Sequence, residues 1–301
     1  MIRPGVFHKL RLLVAAGSVG VLLLALPAAA AFGQTSDFDD WQGFKPGSWC
    51  EIRTTVETMD ALGTTVAAKS TSITQTELAS IAKDSVTLRV NEGTIEYAGK
   101  RFPTPAATLV LRPYGQQENE KATVAEQGKV EIELGGEKHQ CRTVKVQLAG
   151  ETGKREVVNV FRDAAVQSPL RRVVTAFDKN AEEKVVSTTT TEALTLDGAV
   201  PVGERMLRTV CYRVVYRNHK LSTTALVDKS ADVPGQLVRA EVVERGPDGT
   251  LLRRITQELL DYEVKSEAVP STEIGRARER REARQDRREE RRIRRSPSDD
   301  R

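Results

Sequence analysis

The chain has 301 residues, of which 29% are charged, 39% hydrophobic and only 5% aromatic, with a formal net charge of +4. That excess sits at the ends: residues 273–301 hold 12 Arg against 8 acidic residues, and residues 1–31 hold three basic residues and no acid. The body between them, 32–272, carries 31 basic and 34 acidic residues, a balance that excludes a general polyanion binder.

The first segment reads as an address. Arg3, Lys9 and Arg11 precede an uncharged run, LLVAAGSVGVLLLALPAAAA, that ends in the small residues Ala28 to Ala31. This pattern predicts a signal peptide over 1–31, cleaved near Ala30–Gly33, and export to the periplasm or the medium. An uncleaved anchor is the alternative, because the apolar run nearly reaches spanning length. No Cys follows the small residues, which argues against a lipid-anchored lipoprotein. Trp41 and Phe44 come next and are expected to pack beneath the first hairpin rather than clamp an aromatic ligand.

The body is rich in Val and Thr, and its apolar residues alternate. CRTVKVQL (141–148), TVCYRVVY (209–216) and QLVRAEVV (236–243) are the clearest runs, and period-two patterning predicts half-buried strands. Three of the segments open on a proline: KPGSWCEIRTT, SPLRRVVTAF and VPGQLVRAEVV. Pro169 and Pro234 are 65 residues apart, and each is preceded at equal distances by an apolar residue and an aspartate, Phe161 and Asp163 in one case, Leu226 and Asp228 in the other. Spacing of this kind predicts a reused hairpin unit. The turns are Gly246-Pro247-Asp248-Gly249, Asp178-Lys179-Asn180 and the segment around Gly63. The expected divisions are 32–128 (a first repeat with its connector), 129–198 and 199–272. Residues 103–128 break the pattern with three prolines and a charged stretch, and are expected to join the first copy to the second by way of a short strand at 107–112. The fold class is mainly β, an antiparallel curved sheet or half-barrel built from Pro-started hairpins.

Parity assigns faces. Val238, Ala240 and Val242 share one side of the last copy, Val173, Thr175 and Phe177 one side of the middle copy, and Cys50, Ile52 and Thr54 one side of the first. Val173, Phe177, Val238, Val242 and Ile52 are therefore the candidate ligand-lining residues, with a simply filled core as the alternative. Cys50 falls where its counterparts are Val173 and Val238, and reads as a core residue. Cys141 and Cys211 fall on the other parity of two related strands and are the candidate disulfide, with two free thiols as the alternative.

Residues 273–301 have almost no apolar content and are expected to be disordered or a lone solvated helix. Such a tail either keeps the chain soluble or seeks an anionic envelope component. It lacks aromatics for base stacking, and no nucleic-acid partner is expected. His139 and His219 stand far apart, no paired-Cys or H-E-x-x-H spacing occurs, and no nucleophile or phosphate-loop motif is present. No catalytic residue, metal or cofactor is therefore expected, and a hydrolase using scattered carboxylates is the least favoured reading.

The phrases VDKSADVPGQLVRAEV and VFRDAAVQSPLRRVVTA resemble uncharacterised secreted bacterial proteins with this repeat, whose topology is similar to the incomplete β-barrels of lipoprotein carriers (LolA/LppX-like). The resemblance spans about 130–270 closely and 40–100 loosely. It implies an apolar ligand, a lipid or acyl chain, held in the concave side of the sheet. A non-enzymatic exported binding protein is thus the first reading, and an envelope or matrix interaction module using the basic tail the second.

Overall fold

The computed structural model describes residues 38–150, 153–162 and 169–265. The expected signal peptide, Asp163 and the Arg-rich tail lie outside these residues. A short helix α1 (Asp39–Gln42) is followed by β1 (Trp49–Met59), β2 (Val66–Ala82), β3 (Ser85–Val90), β4 (Gly93–Tyr97), β5 (Lys100–Thr104) and β6 (Ala107–Leu111). After a 3-10 turn at Pro113–Gly115 come β7 (Lys121–Leu134), β8 (Glu137–Gly150), β9 (Gly153–Arg162), β10 (Arg171–Asp178) and β11 (Ala181–Val202). The last are β12 (Arg205–Asn218), β13 (Ser222–Lys229), β14 (Leu237–Arg245) and β15 (Leu251–Glu263). ELASIAK (77–83), which reads equally as a helical turn or a strand end, forms the end of β2 through Ala82, and Lys83 begins the turn to β3.

All fifteen strands join one antiparallel sheet in the order β5-β4-β2-β1-β15-β14-β13-β12-β11-β10-β9-β8-β7, with β3 pairing β2 and β6. From β7 to β15 each strand pairs with its neighbour in sequence, and β1 then closes onto β15. The sheet is curved and does not close into a barrel. The turns follow from short polar side chains. Asp60 Oδ1 accepts from Thr64 N at 2.8 Å, Asp178 Oδ1 from Asn180 N at 2.9 Å and Asp248 Oδ1 from Thr250 N at 3.0 Å. Each carboxylate replaces a backbone acceptor and reverses the chain. Pro46, Pro169 and Pro234 stand two or three residues ahead of β1, β10 and β14 rather than as their first residues, where a missing N–H costs no ladder bond.

A single flat layer with no helical cover buries nothing, so burial here depends on curvature. The sheet bends until β11 approaches both β7 and β15, each four strands away in the pairing order. One apolar cluster then draws on Val160, Ala193, Tyr212, Val227, Val242 and Ile255. A second gathers Trp41, Cys50, Leu78, Val238 and Leu259 beneath α1, and a third holds Val144, Val146, Leu148 and Val157. Trp41 and Phe44 are core residues, as expected, and Trp41 is 1% exposed. The indole lies against Gly235, where a Cβ would meet Trp41 Cζ2 at 2.8 Å and where φ is +75°. Glycine satisfies both conditions at once. The end of β13 is tied to α1 by Lys229, whose Nζ donates to Asp40 Oδ2 at 2.7 Å.

None of the three cysteines is in a disulfide, so the expected Cys141–Cys211 bond is not formed. Strands β9, β10 and β11 separate their strands. Neighbouring strands run about 4.8 Å apart, whereas a disulfide needs Cα atoms about 5.5–6 Å apart. Cys141 is also not on a polar side: it is buried with Val160 and Ala193. Cys211 stands opposite Asp228, and its thiol is pushed up first by burial and then by that carboxylate. Cys50 is a buried core residue, and burial pushes its thiol up to about 12. Asp228 sits in β13 and pairs with Arg239, directly opposite on β14, at 3.0 Å.

Candidate functional site

The three apolar clusters do not fill the space between them. A partly open cavity of about 640 Å³ borders all three. Its wall is written in the strand register. Asn159 on β9 lies opposite Arg172 on β10, Arg172 opposite Thr191 on β11, and Thr191 opposite Val214 on β12. Two residues along, Val174, Thr189 and Tyr216 form the next row, in register with Val157, which is buried in the third cluster. Phe161, Tyr212 and Val227 add apolar area. Alternation puts these side chains on one face because successive residues of a strand point opposite ways.

The cover comes from two segments distant in sequence. Phe38, Asp39 and Asp40 of the α1 region border one side, and residues 110–118 border another. The connector from β6 to β7 is held in place by Glu120, which is 6% exposed. Its carboxylate accepts from Gln117 N at 2.7 Å and from Arg155 Nε at 3.0 Å, and it also pairs with Arg155 Nη2. Arg155 Nη2 donates in addition to Gly115 O at 2.9 Å. Within this connector Tyr114 has φ +60°, a conformation that costs a non-glycine residue energy and is held by its surroundings. Tyr114 packs against the cluster of Val144, Val146, Leu148 and Val157.

The site is amphipathic. Its apolar side chains are edged by Arg112, Arg155, Arg172 and Lys229, with Asp39, Asp40 and Glu118 as the acids. Three of these charges are committed to two buried pairs, Lys229 with Asp40 and Arg155 with Glu120.

None of the five sequence-predicted lining residues borders this cavity. Val238 and Val242 have the buried parity expected, at 2% exposed each, but they fill closed clusters. Ile52 packs against the cluster beneath α1. On β10 the cavity is bordered by Arg172 and Val174, so Val173 belongs to the other parity. Phe177 lies beyond a register shift at the hairpin end. RRVVTAF has apolar residues on both parities, so alternation alone does not choose a face there. Asn159, Phe161 and Tyr212 carried no signal as site residues. The one available clue was a lone Asn in the run VVNVF, a polar residue amid strand-forming apolar ones.

No family model matches the chain, and no curated protein matches it. Among solved structures it is similar to a Bacteroides fragilis protein named as exported and of YmcC-like fold, at 9% identity and a TM-score of 0.28, covering 73% of this chain and 98% of that one.

Proposed function

We propose that this protein is an exported, non-enzymatic carrier that holds an amphiphile with an elongated apolar body inside its bent sheet. The observation that supports this reading is the cavity of about 640 Å³ between clusters that leave it unfilled. Its size falls in the range of small-molecule sites, about 300–1,000 Å³, and its lining sets apolar side chains such as Phe161, Val174, Val214 and Val227 beside polar and charged ones, as an amphiphile requires. The resemblance of the repeated phrases to secreted repeat proteins whose topology is similar to that of lipoprotein carriers favours the same reading, and the charge-free run 12–31 supports export.

Mass spectrometry of the full chain purified from its native envelope, with and without solvent extraction, tests this. A co-purified lipid is expected, and Val174→Trp, which fills the wall, should remove it. A lipid-free protein, or one whose lipid content ignores the substitution, would count against the carrier reading. The 12 Arg within 273–301 favour one further role, contact with an anionic envelope component. Salt-dependent envelope retention should then fall for a chain ending at Thr272; equal retention would remove that role.

A further inference from the structure

Among the described residues two buried side-chain polar atoms lack a hydrogen-bond partner, Asn159 Oδ1 and Thr209 Oγ1. Of the two residues only Asn159 borders the cavity. It is 3% exposed. A buried acceptor left unpaired destabilises the fold, and native proteins carry few of them. An aliphatic side chain at this position would fill the wall without that cost. A local rule broken without a structural gain points to function.

The register shows what Asn159 interrupts. Val157 and Val174 lie opposite each other in one row, Asn159 and Arg172 in the next, and Phe161 lies one row further along β9. An amphiphile lying along β9 and β10 therefore meets the apolar side chains of Val174 and Phe161 on either side of the polar rung of Asn159 and Arg172, which Thr191 continues on β11. The amide oxygen is covered by the wall as it stands, but the terminal torsion of an Asn side chain is broad, so a modest turn presents it to the cavity.

We infer that the ligand carries a hydrogen-bond donor, a hydroxyl or amide N–H, partway along its apolar body, and that Asn159 Oδ1 accepts from it. This rests on the carrier reading above and specifies its ligand class. A plain hydrocarbon chain would leave the oxygen unpaired, whereas a chain with a donor at the right height would satisfy it. The selectivity is set by the desolvated acceptor, since such sites discriminate against analogues lacking the partner group.

The test is calorimetric titration of the full chain with octadecanoate and with octadecanoates hydroxylated at successive positions. One isomer is expected to bind about fivefold to tenfold more tightly than octadecanoate, the worth of one net hydrogen bond. In Asn159→Leu and Asn159→Ala that ratio should vanish, whatever the absolute affinity, and Asn159→Leu should unfold at a higher temperature than the unsubstituted chain. Octadecanoate binding with no preferred isomer, or a preference that survives both substitutions, overturns the inference and leaves the carrier reading standing. Binding of no probe at all removes both.

Discussion

Strands β14 and β7 are both legible as strands, yet they differ in what they bury. In β14 Val238, Ala240, Val242 and Glu244 are buried in strict alternation with more exposed residues. In β7 the apolar residues also alternate, through Ala122 and Val124 and again through Val130, Ile132 and Leu134, but Val124 is 51% exposed and Val130 39%. The difference is position. β14 lies within the bend, whereas β7 is an edge of the sheet with β8 as its one ladder partner. Period-two patterning thus reports a pleated strand, and a place inside the curvature decides whether its apolar side is covered.

Truncating one apolar residue in each region should give the largest contrast. Trp41→Ala, beneath the β13–β14 loop, should lose about 3–5 kcal/mol of unfolding free energy in a urea titration. Val124→Ala in β7 should change stability by less than about 0.5 kcal/mol, as surface substitutions usually do. Equal losses would mean that the edge is covered after all. Lys229→Met comes next. It removes the ammonium from Asp40, which is 3% exposed on its side chain, and should cost about 3 kcal/mol because a buried carboxylate loses its cation. Restoring neutrality with Asp40→Asn in the same chain should recover part of the loss, and a double-mutant cycle measures how much.

The thiols give a smaller, qualitative effect. Cys50 should resist a thiol reagent at neutral pH in the folded protein, because burial holds it protonated. All three cysteines should react once the chain is denatured without reductant; fewer would mean that a disulfide exists. The smallest effect concerns Asp60. Hydrogen bonds from Thr64 and Thr65 hold its carboxyl down at about 2. An unfolded Asp takes up its proton near pH 4, so the folded state binds fewer protons between these values. The turn's contribution is therefore complete above about pH 4 and fades as pH falls toward about 2. The decline should be shallower in Asp60→Ala, as followed by denaturation at stepped pH.

The hairpins and several of their faces could be read from residues because their causes are local. Asp60, Asp178 and Asp248 announce turns, and V-R-A-E-V in β14 states its parity. β10 does not, since Val173 and Val174 are both apolar and only the bend selects Val174 for the cavity. Nor could the cavity be anticipated. Its cover comes from residues 38–40 and 110–118, far from β9–β13 in sequence, and the connector is fixed by the Glu120–Arg155 pair, which no spacing rule links. The cysteine pairing failed for a related reason: similar places in two repeated phrases do not mean neighbouring places in the sheet.

The most direct test is photo-crosslinking of the full chain with a diazirine-bearing octadecanoate, followed by peptide mapping. Label is expected on residues 155–161, 172–174 and 212–216 and on the connector around Tyr114, with labelling lost in Val174→Trp. Label concentrated on β7 or on the outward residues of β14, and unchanged by that substitution, would rule out a ligand held in this cavity.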